Sequence, residues 1–280
     1  MKRFFYICLV SCLFIQWTTA QSGRQFGSAS KGIVYEKEFN MDIRLHTNGF
    51  ALGANFGKLK TYYKTTYYHI GLGEIKHPKE FRQSFDLTLP GSPITSRSFI
   101  YGKQNNLYVL RGGYGVKKYF SEKARKKGVA VGMSYEFGPS IGLLKPYYLQ
   151  IIRDETGDNF TAVVESEKFT EETAEAFLAE RSIFGSSGFT EGISEISIIP
   201  GGQAKVAVHF DWGAYDEFVK GIEAGLMVDV YFQRVPIMVD DVSIQNIVQG
   251  GAPVTIEPRN VQNRPFFINF FLNFQFGKRW

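Results

Sequence analysis

The sequence predicts an all-β fold: a transmembrane, antiparallel, up-and-down β-barrel of about eight strands, ten also being compatible, with one short helix in a long extracellular loop. Three observations carry this. Segments of ten or more residues alternate between an apolar and a polar face, as side chains along a strand do. The apolar faces are unusually aromatic, in a chain with 16% Phe, Trp and Tyr. After residue 20 there is no apolar run of the roughly 20 residues a membrane-crossing helix needs, which leaves a closed barrel as the spanning structure.

In chain order, Lys2 and Arg3 precede an apolar run from Phe4 to Trp17, and Thr18-Thr19-Ala20 supplies small residues for cleavage. Residues 1–20 therefore read as a signal peptide and 21–280 as one barrel domain. Leu9-Val10-Ser11-Cys12 also fits a lipoprotein box, but the apolar run continues past Cys12, which argues against lipidation. The chain has 2 cysteines, Cys8 and Cys12, both in this leader, so a mature chain from Gln21 has no cysteine catalysis, zinc–thiolate site or disulfide. No Pro/Gly/Ser linker or internal repeat divides the remainder.

The first strand runs from Tyr35 to His46, with Phe39, Met41, Ile43 and Leu45 opposite Glu38, Asn40, Asp42 and Arg44. Asn48-Gly49 suits a tight turn. The second strand shows Phe50, Leu52, Ala54 and Phe56 on one face, and the third sets Tyr68, Ile70 and Leu72 against His69. The fourth, Leu107 to Val116, sets Tyr108, Leu110 and Tyr114 against Arg111. In the fifth, Val131, Met133, Tyr135 and Phe137 oppose Ser134 and Glu136. The sixth pairs Val206, Val208 and Phe210 with Lys205, His209 and Asp211 on the other side. The seventh does so with Leu226, Val228 and Val230 against Glu223 and Asp229. Phe266 to Trp280 is the eighth. The links expected at 57–64, 117–127 and 213–220 are short, whereas 77–104, 151–202 and 239–264 are long, the two-sided asymmetry of an outer-membrane barrel.

In a barrel the polar faces point inward, so Glu38, Asp42, Arg44, His69, Arg111, Glu136, Lys205, His209, Asp211, Glu223 and Asp229 share a lumen. Eight strands leave room for little beyond their own side chains, which predicts a paired interior network rather than a pore lining. Carboxylates outnumber Arg and Lys in this set, so pairing with histidine or protonation is expected. A proton or ion path is the other reading.

The short turns look basic, with Lys58, Lys60, Lys64, Lys117, Lys118 and residues 123–127, joined by Lys278 and Arg279. The loop from 151 to 202 is acidic. Within it Thr170 suits a helix cap, with Glu171 and Glu172 in the first turn, and predicts a helix to about Arg181. Residues 183–189 read as a folded-back loop, since no phosphate-loop lysine is present. His77 with Glu80 and Asp86, or His46 with Ser92, can be written as catalytic dyads, and no Gly-x-Ser-x-Gly motif accompanies them. No enzyme, cofactor or metal site is expected, and the lysines, set between amphipathic strands, do not suggest nucleic acid.

From Pro265 to Trp280 the last strand is amphipathic and ends on an aromatic. In this it resembles bacterial outer-membrane barrels, whose final strand is read by the barrel-assembly machinery; the resemblance assigns that signal to Phe274, Phe276 and Trp280. Gly73-Glu74-Ile75-Lys76-His77-Pro78-Lys79-Glu80 and Phe276-Gly277-Lys278-Arg279-Trp280 are similar to a functionally uncharacterised porin-like barrel family typical of Bacteroidetes. The resemblance implies the bacterial outer membrane as location. Its partners there are outer-membrane lipids, lipopolysaccharide and other envelope proteins. Two functions follow as expectations: a non-enzymatic structural or accessory component of an envelope complex with a side-chain-filled lumen, or a small porin-like channel for ions or hydrophobic solutes.

Overall fold

A computed structural model describes residues 35–84, 96–121, 128–154, 162–179, 182–214, 216–240 and 261–280. The expected leader, Cys12, Asp86 and Ser92, and the basic residues 123–127 lie outside the described residues.

The strands are β1 (Lys37–His46), β2 (Gly49–Thr61), β3 (Lys64–Ile75), β4 (Arg82–Gln83), β5 (Phe99–Ile100), β6 (Asn105–Tyr119), β7 (Ala130–Pro146), β8 (Tyr148–Asp154), β9 (Ala162–Lys168), β10 (Ile183–Ser186), β11 (Ser197–Asp211), β12 (Phe218–Tyr231) and β13 (Phe266–Arg279). Eight of them close a barrel in the order β1-β13-β12-β11-β7-β6-β3-β2. Each barrel strand is antiparallel to the barrel strands before and after it in the chain, and β13 closes on β1, with Met41 opposite Phe276 and Ile43 opposite Phe274.

The predicted phase holds in every barrel strand. Met41, Ile43, Leu52, Phe56, Tyr68, Ile70, Phe137, Val206, Phe270 and Leu272 point outward and are exposed, while the polar residues between them are buried. Several strands are longer than expected, because backbone hydrogen bonding continues past the point where the outward face stops being apolar. The ladder between β2 and β3 runs on through Lys58 and Lys64, with a bulge at Lys60, leaving Tyr62 and Tyr63 as the turn.

The connections sort by end. At the end holding Lys37 and Arg279 the links are residues 62–63, 120–129 and 212–217; at the other they are 47–48, 76–104, 147–196 and 232–265. Gly49, which opens β2 directly after the link 47–48, takes a positive φ of 151°, a value that suits glycine.

The long links fold into a cap. It contains a three-stranded sheet, β10-β8-β9, and the pair β4–β5. The helix expected from Thr170 to Arg181 is a single short α1, Ala174–Leu178, with Thr173 at the N-cap position and no side-chain cap bond from it. Thr170 does accept the Thr173 amide through its Oγ1 at 3.2 Å, so the capping chemistry is present, but the chain makes a turn before the α-helix begins. Residues 183–186, expected as loop, form β10 because Ile183 and Phe184 are buried there and β8 offers a free edge. Phe99, Tyr101, Leu149, Ile151, Phe177, Leu178, Ile183 and Val239 make the cap's own apolar core.

Candidate functional site: a filled lumen

All eleven predicted lumen residues are buried inside the barrel. Near the end that carries the short turns, Arg279 donates to Glu38 Oε2 at 2.8 Å and to Asp211 Oδ2 at 2.8 Å. Lys117 Nζ donates to Glu38 Oε1 at 3.2 Å and to Gln275 at 2.7 Å, and the Tyr119 hydroxyl donates to Asp211 at 2.8 Å. Lys117 and Arg279 correct the expectation that they sit in exposed turns. Lys117 continues the odd-numbered inward series of β6 through Leu107, Val109 and Arg111, and Arg279 continues that of β13 through Asn273 and Gln275. Parity in the sequence already carries both: Lys117 lies one residue past the strand expected to end at Val116, and Arg279 keeps the inward phase of the strand expected to run to Trp280.

In the middle of the barrel, Lys205 sits 2.8 Å from Glu136 and 3.4 Å from Glu223. Lys205 and Glu136 are direct register partners, as are His209 and Glu223. Glu136 also accepts from Tyr67 at 3.1 Å and Gln203 at 2.9 Å. The Tyr67 ring fits because Gly115 faces it: a Cβ there would overlap the phenol. His209 lies between two carboxylates, 3.3 Å from Glu223 and 3.8 Å from Asp211. Asn55 bridges Asn40 and Asp42 at 2.7 and 2.8 Å and holds His69 at 2.8 Å.

Closer to the loops, Arg111 makes a two-pronged pair with Asp229, both bonds 2.9 Å. Arg44 contacts Asp42 at 3.5 Å and lies 5.3 Å from the centre of the Phe271 ring. The buried carboxylates Glu38, Asp42, Glu136, Asp211, Glu223 and Asp229 thus face Arg44, Arg111, Lys117, Lys205 and Arg279. With Lys117 and Arg279 included, the expected excess of acid shrinks to one group, beside which His209 stands.

Above this network the mouth is apolar. Ile75, Leu107, Val109, Leu144, Ile199, Tyr231 and Phe267 from the strand ends pack with Val235, Ile237, Met238 and Val261 of the last long link. That segment is pinned: Gln104 and Asn105 amides donate to Ile237 O at 2.9 and 3.1 Å, Asn105 Nδ2 to Pro236 O at 2.7 Å, and Val239 N to Gly102 O at 2.8 Å. Sequence reasoning missed this plug, since its loop half has no strand periodicity.

Asp86 and Ser92 of the candidate dyads lie outside the described residues, so only His77, Glu80 and His46 can be placed. His77 Nδ1 accepts the Lys79 amide at 3.2 Å, while Glu80 is bonded to the His77 amide and to Lys103 Nζ. His46 is buried at the end of β1, on the inward face. Phe276 and Trp280 are exposed outward and Phe274 half-buried on the same face; the Trp280 backbone bonds both ways with Lys37. Comparison of the chain with family models, with curated proteins and with solved structures gives no match.

Proposed function

We propose that this chain is an integral outer-membrane β-barrel of the porin-like kind that works as a non-enzymatic structural or accessory component of an envelope complex, presenting its loop cap outward. The observation that carries the reading is the belt of exposed apolar side chains around a closed barrel. Such a continuous surface is far larger than the few hundred Å² a soluble monomer tolerates. A second feature supports the orientation. Lys37, Lys58, Lys60, Lys64, Lys118, Lys220 and Lys278 stand exposed on the outward face at the turn end, below the apolar belt. Seated in a membrane, they meet lipid phosphates on the periplasmic side, with stems along the hydrocarbon and ammonium groups at the headgroups.

The filled lumen favours an accessory role over a channel. A charged layer fixed by ion pairs lies beneath an apolar plug, and an ion crossing both meets first desolvation and then occupied partners. Expression in a Gram-negative host tests the reading: we expect recovery with outer membranes, heat-modifiable gel migration, and no unitary conductance in planar bilayers. Recovery in the soluble periplasm overturns the membrane placement, and reproducible conductance overturns the accessory role. Phe274→Arg, which puts a charge in the belt, costs about 2–4 kcal/mol near the midplane and less toward either edge, read as lower yield of inserted protein.

A further inference from the structure

The rim of the barrel is low at one place. The link 47–48 is two residues long, and beside it a cleft of about 640 Å³ opens between the outward face and the mouth. Its apolar side is continuous from Phe266 and Ile268, which are exposed outward, to Phe267, Val235 and Ile237 of the plug. Its polar side is cationic: Lys79 and Arg264 line it with His77. Among the described residues no carboxylate lies within ion-pair distance of Arg264, and Glu80, the nearby acid, is held at 2.7 Å by Lys103.

The polar wall is pre-formed. His77 Nδ1 accepts the Lys79 amide at 3.2 Å, which fixes the ring on the cleft wall, and the Gln262 backbone of the other long link acts on the same ring to raise its pKa. Burial lowers the His77 pKa, Lys79 and Arg264 push it the same way, and Glu80 opposes them. The positive charge of the cleft at neutral pH therefore rests on Arg264 and Lys79. A site with an apolar slot leading in from the belt and an arginine at its head matches an amphiphile with a phosphate headgroup, since guanidinium binds phosphate with paired, charge-assisted hydrogen bonds.

We propose that this cleft binds a phosphate-bearing lipid of the outer leaflet, its headgroup on Arg264 and Lys79 and one acyl chain running over Ile268 and Phe266 toward Phe267. The proposal rests on the membrane placement above. It commits to a lipid rather than a soluble phosphate, because half of the lining is apolar and opens toward the belt.

The test uses the whole protein in nanodiscs of phosphatidylcholine doped with phosphatidic acid, with retained lipid counted by native mass spectrometry after transfer to mild detergent. We expect one phosphatidic acid retained per barrel, and at least about a tenfold loss of its affinity in Arg264→Gln/Lys79→Gln. Lys60→Gln/Lys118→Gln, at the opposite end, keeps it. Equal retention of phosphatidylcholine by the unaltered protein overturns the site without any variant. So does tight binding of glycerol phosphate, which has no chain, or unchanged retention in the double variant that still shows heat-modifiable migration. A protein that stays monodisperse without detergent instead overturns the membrane placement, a result separable from loss of headgroup selectivity.

Discussion

The two halves of the lumen are filled by opposite means. Toward the short turns the interior is ionic, and its groups come from barrel strands alone: Glu38, Lys117, Asp211 and Arg279 meet because register and curvature bring β1, β6, β11 and β13 together. Toward the loops it is apolar, and the strand ends supply only part of the filling; Val235, Ile237 and Met238 are brought in by a link and hydrogen-bonded in place. The difference follows from what each chemistry needs. A buried ion pair is tolerable only when both partners are held in fixed geometry, which paired strands provide. An apolar plug asks for volume and exclusion of water, which a pinned loop can supply.

The comparison can be broken most severely at β13, which contributes to both halves. Removing residues 276–280 takes away Arg279, leaves Glu38 and Asp211 without it and shortens the strand closing on β1. We expect no heat-modifiable barrel at all, and insertion at normal yield would mean that closure does not depend on this segment. Next in size, Asp229→Leu strands Arg111 in the ionic half and should cost about 3–5 kcal/mol in denaturant unfolding. Adding Arg111→Met should recover much of that loss; a double variant as unstable as the single one would argue against pairing as the cause.

In the apolar half, Ile237→Ala removes a plug side chain that is 1% exposed, at a cost of about 2–5 kcal/mol. The loss should be confined to the cap, read as faster hydrogen exchange at Gln104 and Asn105, with bilayers still non-conducting because the ionic layer below is intact. A conducting variant would show that the plug alone seals the barrel. The smallest effect concerns His77. Its folded pKa lies below the unfolded value, so its contribution is present above about pH 6.5 and is lost as pH falls through the folded value. Acid should break the contact between the Lys79 amide and His77 Nδ1, since a protonated Nδ1 cannot accept, and His77→Gln should flatten that dependence in exchange measurements.

Strand number, facing and the ionic half were legible because alternation is local: each of Asp42, Arg111, Glu136, Lys205 and Asp229 is polar between outward apolar or glycine neighbours. Partners were not legible. Lys205 opposite Glu136 needs register, and Arg111 with Asp229 needs the curvature that brings β6 and β12 face to face across the lumen. Lys117 falls just past a strand boundary, where apolar contrast fades before the ladder does, and Arg279 reads as part of a basic rim although its parity in the last strand points it inward. The helix was overestimated at both ends: the Thr170 cap and the acidic residues after it form a turn, and burial of Ala174, Phe177 and Leu178 sets the part that is helical. The plug left no trace, since nothing in Val235-Pro236-Ile237-Met238 distinguishes an inserted loop from an exposed one.

The two-residue link between β1 and β2 gives the molecule a compass bearing. The other links at that end carry strands β4, β5, β8, β9 and β10, helix α1 or the plug residues, whereas residues 47–48 carry nothing, so the end of the barrel is uneven about its axis and its low point lies at Asn48. A featureless cylinder can be gripped at any angle about its axis. This one offers a single heading, and an assembly built on it inherits that angle.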